Sequence, residues 1–425
     1  MSKALLTAIT DRFEGRVVRA LDLATDLDVV RRCADLADLL AAAAMHLGEV
    51  ALVSADLRGL DRSAVEQLHG HALLVLGIYP PGDEQGERRL RQLGVDAVAS
   101  ADASGAELES LVRGVADPGG GAKAGPLTDG LDLPLGTGRD GGPEDAPPVL
   151  GVVVAVWGPT GAPGRTTLAI NLAGELAGLG RRTLLVDADT YGGCVAQTLS
   201  LLDEAPGLAA AARAADQGNL DLVALARLAP EVSAGLRVLT GIPRAERWPE
   251  LRAAALEHVL ALSRRLAEVV VVDCGFNLED DEELSYDTLA PRRNAATLTV
   301  LDAADQVVAV GAGDPIGLQR LVRGLQELGT TPAAPPLVVV NKVRASAAGA
   351  RPEERIGEAL QRFAGVDRPV FVPDDRESLD VALLAGRTLA EVASSSPARV
   401  AIRRLAASLV GEADPAPARR RLRRR

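Results

Sequence analysis

The chain has 425 residues, 47% of them apolar and only 2% aromatic, with a formal net charge of −12. That length exceeds one ordinary domain and supports sizeable cores, while the acidic balance excludes a protein that coats nucleic acid over its whole surface. Three cysteines (Cys33, Cys194 and Cys274) and four histidines fall in no metal-ligand spacing, which fits a reduced, cytoplasmic compartment. No window supplies an uninterrupted apolar run of membrane length, so membrane contact, including at a cell pole, is expected to be peripheral only.

Taken from the N-terminus, short apolar runs alternate with helical patterns. The runs predict strands over Ala4–Thr10, Val17–Leu21, Glu49–Ser54, Ala72–Ile78 and Ala97–Ser100. The periodicity predicts helices over Leu27–Leu47, Arg62–His69, Glu84–Leu93 and Ala106–Val115. Such alternation favours an α/β unit, residues 1–116, with a parallel sheet covered on both faces. Its layout resembles a response-regulator receiver domain. A working receiver needs an acidic pair beside a phosphorylatable aspartate, then a Ser or Thr and a Lys after later strands. Asp56 stands near the third-strand position, but the first strand ends in Thr10-Asp11 without an acidic pair. Ala72–Tyr79 supplies no Ser or Thr, and Val95–Ser100 supplies no Lys. The unit therefore reads as a degenerate receiver, a docking or dimerisation module rather than a phosphoacceptor.

Residues 117–149 contain Pro-Gly-Gly-Gly, Gly-Thr-Gly-Arg-Asp-Gly-Gly-Pro and Ala-Pro-Pro. Too little apolar surface is available there to offset the entropy of ordering, and the segment reads as a flexible linker. The α/β alternation resumes over residues 150–411. Continuous hydrophobic strands are predicted at Gly151–Trp157, Thr183–Val186, Glu268–Val272, Gln306–Val310 and Leu337–Val340, as for central strands of a parallel sheet.

The chemistry sits at the C-terminal ends of those strands. After the first comes Gly161-Ala162-Pro163-Gly164-Arg165-Thr166-Thr167, a glycine turn opening a helix. Backbone N–H groups in such a turn face an anion, and the helix dipole adds partial positive charge. The second strand ends in Asp187 and Asp189, a third in Asp273, and the last in Asn341. Open α/β sheets bind ligands outside these strand ends.

This constellation resembles the ParA/MinD family of P-loop ATPases with a deviant Walker A motif. With a degenerate receiver-like domain in front, it is similar to the CpaE/TadZ branch, which is linked to localising type IV (Tad) pilus machinery. The resemblance covers Leu150 to about Val410 by motif and the N-terminal unit by layout. It implies an α/β chain of two domains, a receiver-like parallel sheet followed by a P-loop parallel sheet, with ATP and Mg²⁺ as cofactors. On this resemblance Gly161–Thr167 cradle the phosphates and Thr166 ligates Mg²⁺. Asp187 and Asp189 flank the γ-phosphate, with Asp189 positioning the attacking water. Asp273 reaches Mg²⁺ through water. Asn341 hydrogen-bonds the adenine, and Pro373 and Asp374 line its far side. Phosphoryl transfer works through such positioning and charge neutralisation.

Two departures stand out. The early loop lysine, which in the family crosses to a partner's nucleotide, is Thr160, and the second lysine is Arg165. Arg165 keeps the charge of a catalytic residue in a broader, planar group. The expected role is a regulatory ATPase-like protein, slow in hydrolysis, that self-associates and positions a pilus or secretion assembly through protein partners. Chromosome partition, division-site placement and a non-hydrolysing scaffold stay open as alternatives. The acidic run Glu279–Glu283 reads as a solvated loop. The basic tail, residues 412–425, reads as a solubilising end or a contact for DNA or anionic membrane.

Overall fold

The computed structural model describes residues 2–116, 150–201, 206–279 and 291–412. The linker 117–149, acidic residues 280–283 and the tail from 413 lie outside the described residues. The described residues divide into two compact units, taken here separately.

The N-terminal unit holds five strands: β1 (Lys3–Ala8), β2 (Leu27–Arg32), β3 (Val50–Ser54), β4 (Leu74–Tyr79) and β5 (Ala97–Ser100). They form a parallel sheet in the order β2-β1-β3-β4-β5, the doubly wound flavodoxin-like order. Helices on its two faces bury one apolar cluster around Leu39, Leu68 and Leu90 and another around Val17, Leu21 and Leu108. Two expectations are corrected. Val17–Leu21 belongs to a helix, Asp11–Leu21, in which Val17 and Leu21 share the buried face at i, i+4 spacing. Leu27–Arg32 is strand β2, and the helix begins only at Leu36, where the Asp35 side chain caps the Asp38 N–H. A short apolar run carries no period of its own, so packing decides its state. Asp56 follows β3, is exposed, and accepts a 2.9 Å hydrogen bond from the Thr10 hydroxyl.

The second unit is built on eight strands in the order β13-β12-β11-β6-β10-β7-β9-β8. These are β6 (Val152–Trp157), β7 (Thr183–Ala188), β8 (Glu231–Ser233), β9 (Leu236–Leu239), β10 (Val269–Cys274), β11 (Gln306–Ala312), β12 (Pro336–Val343) and β13 (Val370–Pro373). All neighbours are parallel except the edge pair β8–β9. The five predicted strands are its centre, where Val-rich runs are buried on both faces. The outer strands β8, β9 and β13 are three or four residues long, too short to show a pattern in sequence.

The helix Arg165–Gly178 follows β6 and packs through Leu168, Leu172 and Leu176 into a core that includes Ile402, Leu405 and Ala406 of the last helix, Pro397–Leu409. The two helices are also joined by charge. Glu175, 1% exposed, accepts hydrogen bonds from Arg399 Nε at 2.7 Å and Arg403 Nη1 at 3.2 Å. Nearer the turn, Asn171 Nδ2 donates to the Thr167 carbonyl at 2.8 Å and its Oδ1 accepts from the Leu389 N–H at 2.7 Å. Arg399 and Arg403 keep some access to solvent, so Glu175→Ala should destabilise this unit by roughly 1.5–3 kcal/mol, the loss of hydrogen bonds to a charged group. Arg403→Ala, which removes a half-exposed partner, should cost under about 1 kcal/mol. Denaturant unfolding of the full chain checks both.

Candidate functional site

The turn between β6 and its helix is shaped by backbone handedness. Gly161 and Gly164 have φ of 104° and 96°, values an L side chain rarely adopts. Ala162 is also left-handed at 53°. Gly164 caps the helix that starts at Arg165, so the first helical N–H groups, including those of Thr166 and Thr167, open toward the turn.

Arg165 does not project freely from this turn. Its Nη1 donates to the Gly158 carbonyl at 2.9 Å and the Pro159 carbonyl at 3.2 Å, and its Nη2 reaches Asp189 Oδ2 at 3.4 Å. Its guanidinium also lies 5.9 Å from the Phe276 ring centroid. Asp189 Oδ1 accepts from the Tyr191 and Gly192 N–H groups at 2.9 and 3.2 Å, so this carboxylate organises the loop after β7.

Three acids converge behind the turn. Asp187, Asp189 and Asp273 are 2%, 5% and 0% exposed. Asp187 accepts from the Asp189 and Val195 N–H groups at 3.2 and 3.1 Å. Burial nevertheless raises its carboxyl from 3.8 to about 7, with the Asp189 charge pushing the same way. Asp273 is held well above its ordinary value, chiefly by burial and then by Asp187, while Thr166 and Arg165 oppose the shift. Neither carboxylate oxygen of Asp273 has a hydrogen-bond partner. A fully buried carboxylate without a partner is costly unless something cationic serves it. Oxygen donors from Asp273 and the neighbouring Thr166 fit the hard-cation chemistry of Mg²⁺.

On the other side, β12 closes the turn. Asn341 Nδ2 donates to the Pro163 carbonyl at 2.9 Å, and Lys342 Nζ donates to the Ala162 carbonyl at 2.8 Å. Lys342 does so from a left-handed backbone, φ 58°. Pro373 ends β13 opposite Val343, and the Asp374 N–H donates to the Val343 carbonyl at 3.0 Å. The Asp374 carboxylate faces Arg344 and Arg376, each at 3.7 Å. The fold therefore gathers the turn, Arg165, the three acids and Asn341, while the side chain of Asp374 is committed to two arginines.

Sequence reasoning missed Lys342 as a site residue, although it is one of three lysines among 46 basic residues. It also missed the cluster that joins the loops after β7 and β10. Tyr191 and Phe276 stack at 4.7 Å, Arg293 lies 3.9 Å over the Tyr191 ring, and the Tyr191 hydroxyl donates to Asn294 Oδ1 at 2.7 Å. In a chain with 2% aromatics, Tyr191 and Phe276 just after the acidic strand ends were the available signal.

Comparison with known proteins agrees with this geometry. The family model described as the CobQ/CobB/MinD/ParA nucleotide binding domain matches residues 154–382. No curated protein sequence matches the chain. Among solved structures, a ParA family ATPase from Chlorobium tepidum TLS is 19% identical, with a TM-score of 0.50 over 60% of this chain and 98% of that one. The cell division ATPase MinD of Pyrococcus furiosus is 17% identical, with a TM-score of 0.49 over 62% of this chain and 99% of that one. The septum site-determining protein MinD of Pyrococcus horikoshii OT3, complexed with Mg-ADP, is 16% identical, with a TM-score of 0.48 over 61% and 96%. The matched segment, more than half of the 425 residues, contains the turn, the three acids and Asn341: the chain belongs to the CobQ/CobB/MinD/ParA nucleotide-binding domain family.

Proposed function

We propose that this protein is a regulatory Mg²⁺-ATP-binding switch with slow hydrolysis that positions a pilus or secretion assembly. The observation that carries the nucleotide reading is the pair of partnerless oxygens on buried Asp273, set behind an N–H-lined turn. Thr166 and Asp273 would hold the metal, and the turn from Gly161 to Thr167 would hold the phosphates. Bound there, Mg²⁺ neutralises phosphate charge and polarises phosphoryl oxygens. Asp189, held by two N–H groups, would orient the attacking water. The pilus reading is supported by the order of the two units, a five-stranded doubly wound unit ahead of the nucleotide-binding one, and by the resemblance to the CpaE/TadZ branch. Self-association through the N-terminal unit and peripheral residence at the membrane or a cell pole belong to the same reading. Among the described residues no helix is long and apolar enough to cross a membrane.

Thr166→Ala should weaken Mg²⁺-dependent ATP binding by about tenfold or more, the loss of one ligand at a charged centre. In cells it should disperse a fluorescent fusion from foci at the pilus base. Millimolar ATP giving no heat with the parent protein rules out the nucleotide reading, and foci that follow the nucleoid point instead to partition.

Stability should depend on pH with a definite sign. Asp187 is raised from 3.8 to about 7 and Asp273 is raised as well. The folded chain thus keeps protons that the unfolded chain releases over that window, and stability falls as pH rises through it. The metal-free protein should melt at a higher temperature at pH 5.5 than at pH 8, and saturating Mg²⁺-ATP should narrow the difference. A flat profile between these values contradicts the shared-acid picture.

Arg165 is held by the Gly158 and Pro159 carbonyls and Asp189, and on this reading it would have to leave them to meet the transferring phosphate. Misplacing a charge-stabilising group by an ångström costs about a hundredfold in rate. Arg165→Lys, with a compact ammonium, should turn ATP over faster at unchanged affinity; steady-state phosphate release reads this directly, and equal or slower turnover counts against it.

A further inference from the structure

The turn is short of uncommitted positive charge. Position 160 is a threonine, Arg165 is engaged by two carbonyls and an acid, and Lys342 is engaged by the Ala162 carbonyl. A nucleoside triphosphate brings several negative charges to a site whose own interior already holds three acids. Backbone N–H groups supply partial charge only.

One further cation touches this turn. The helix Pro315–Leu328 follows β11, with its N-terminus fixed by the Asp314 side chain on the Ile316 and Gly317 N–H groups. Its second turn carries Arg320, which is exposed and crosses the open face of Gly161. A Cβ on Gly161 would lie 2.0 Å from Arg320 Nη1 and 3.1 Å from its Cζ. With no side chain at 161 the guanidinium lies directly against the backbone of the turn. Among the described residues Arg320 forms no ion pair and no side-chain hydrogen bond, so all its donors are free for a ligand, whereas Arg165 donates to two carbonyls and Asp189, and Lys342 donates to one carbonyl.

We infer that Arg320 is the phosphate-facing cation of this turn, a positioning residue that carries, from a neighbouring helix, the charge that Thr160 lacks. A planar guanidinium suits this task, because it meets phosphate oxygens through two parallel N–H donors. Its place on a capped helix fixes where the side chain is rooted, and its exposure leaves the guanidinium free to turn toward the bound polyphosphate. The inference rests on the reading of the turn as a nucleotide site.

Equilibrium binding of Mg²⁺-ATP and Mg²⁺-ADP to the full-length parent, Arg320→Ala, Arg320→Gln and Arg320→Lys tests it. Because Arg320 is exposed and makes no ion pair or side-chain hydrogen bond among the described residues, these variants should unfold at the same denaturant midpoint as the parent. Loss of one charged hydrogen-bonding group should weaken ATP binding by about tenfold in the Ala and Gln variants, with Arg320→Lys recovering part of the loss. A larger loss for ATP than for ADP places the contact on the terminal phosphate, and an equal loss places it on the shared phosphates; both support the inference. Unchanged affinity for both nucleotides in Arg320→Ala and Arg320→Gln overturns it while leaving the nucleotide site standing. A parent protein that binds neither nucleotide removes the site itself, and the inference with it.

Discussion

Three carboxylates gather at the ends of two adjacent central strands and only one of them, Asp189, pairs with a guanidinium, and that imbalance is the constraint on which the site depends. Asp187 and Asp273 face each other in register on β7 and β10, so their charges cannot be kept apart by strand geometry. Burial and mutual repulsion raise both carboxyls and so favour their protonated forms. Arg165 offsets some of it through Asp189. The residual demand is concentrated on Asp273, whose oxygens find no donor. A site that binds a dication gains by relieving an existing penalty, not only by making new contacts.

A related constraint shapes the turn. Its carbonyls at Gly158, Pro159, Ala162 and Pro163 are all engaged, by Arg165 from within and by Lys342 and Asn341 from β12. With these carbonyls engaged, the peptide N–H groups of the turn are left without competition from them. The conformation of the turn is therefore held in advance, which would lower the ordering cost of any ligand it takes. The groups that preform the turn include the cations that would otherwise meet the ligand, so preorganisation and direct charge pairing compete for the same side chains.

Much of this was legible in the residues. Runs such as Val269-Val-Val-Val-Asp273 carry burial on both faces, strand length and the acid at its end in one phrase, and the glycine turn marks itself by the helix it opens. Less was legible where a segment's state depends on its neighbours. Val17–Leu21 reads equally as a strand or as one face of a helix, and β8, β9 and β13 are too short to carry a period. The roles of Lys342 and Arg320 were hidden for a different reason. One acts from a left-handed backbone and the other by crossing a glycine from another helix, and neither relation leaves a mark along the chain.

Glu175 gives the fold a mechanical property. It sits on the helix that opens at the glycine turn and grips Arg399 and Arg403 of the last helix, while Asn171 of the first helix holds the Leu389 N–H just before it and Arg181 reaches Glu412 at 3.3 Å just after. These ties, on top of the shared apolar face, fasten the two helices into a single rigid strut. The helix that opens at the turn and the last described helix therefore share one set of contacts, so a substitution that loosens either is felt by the packing of both.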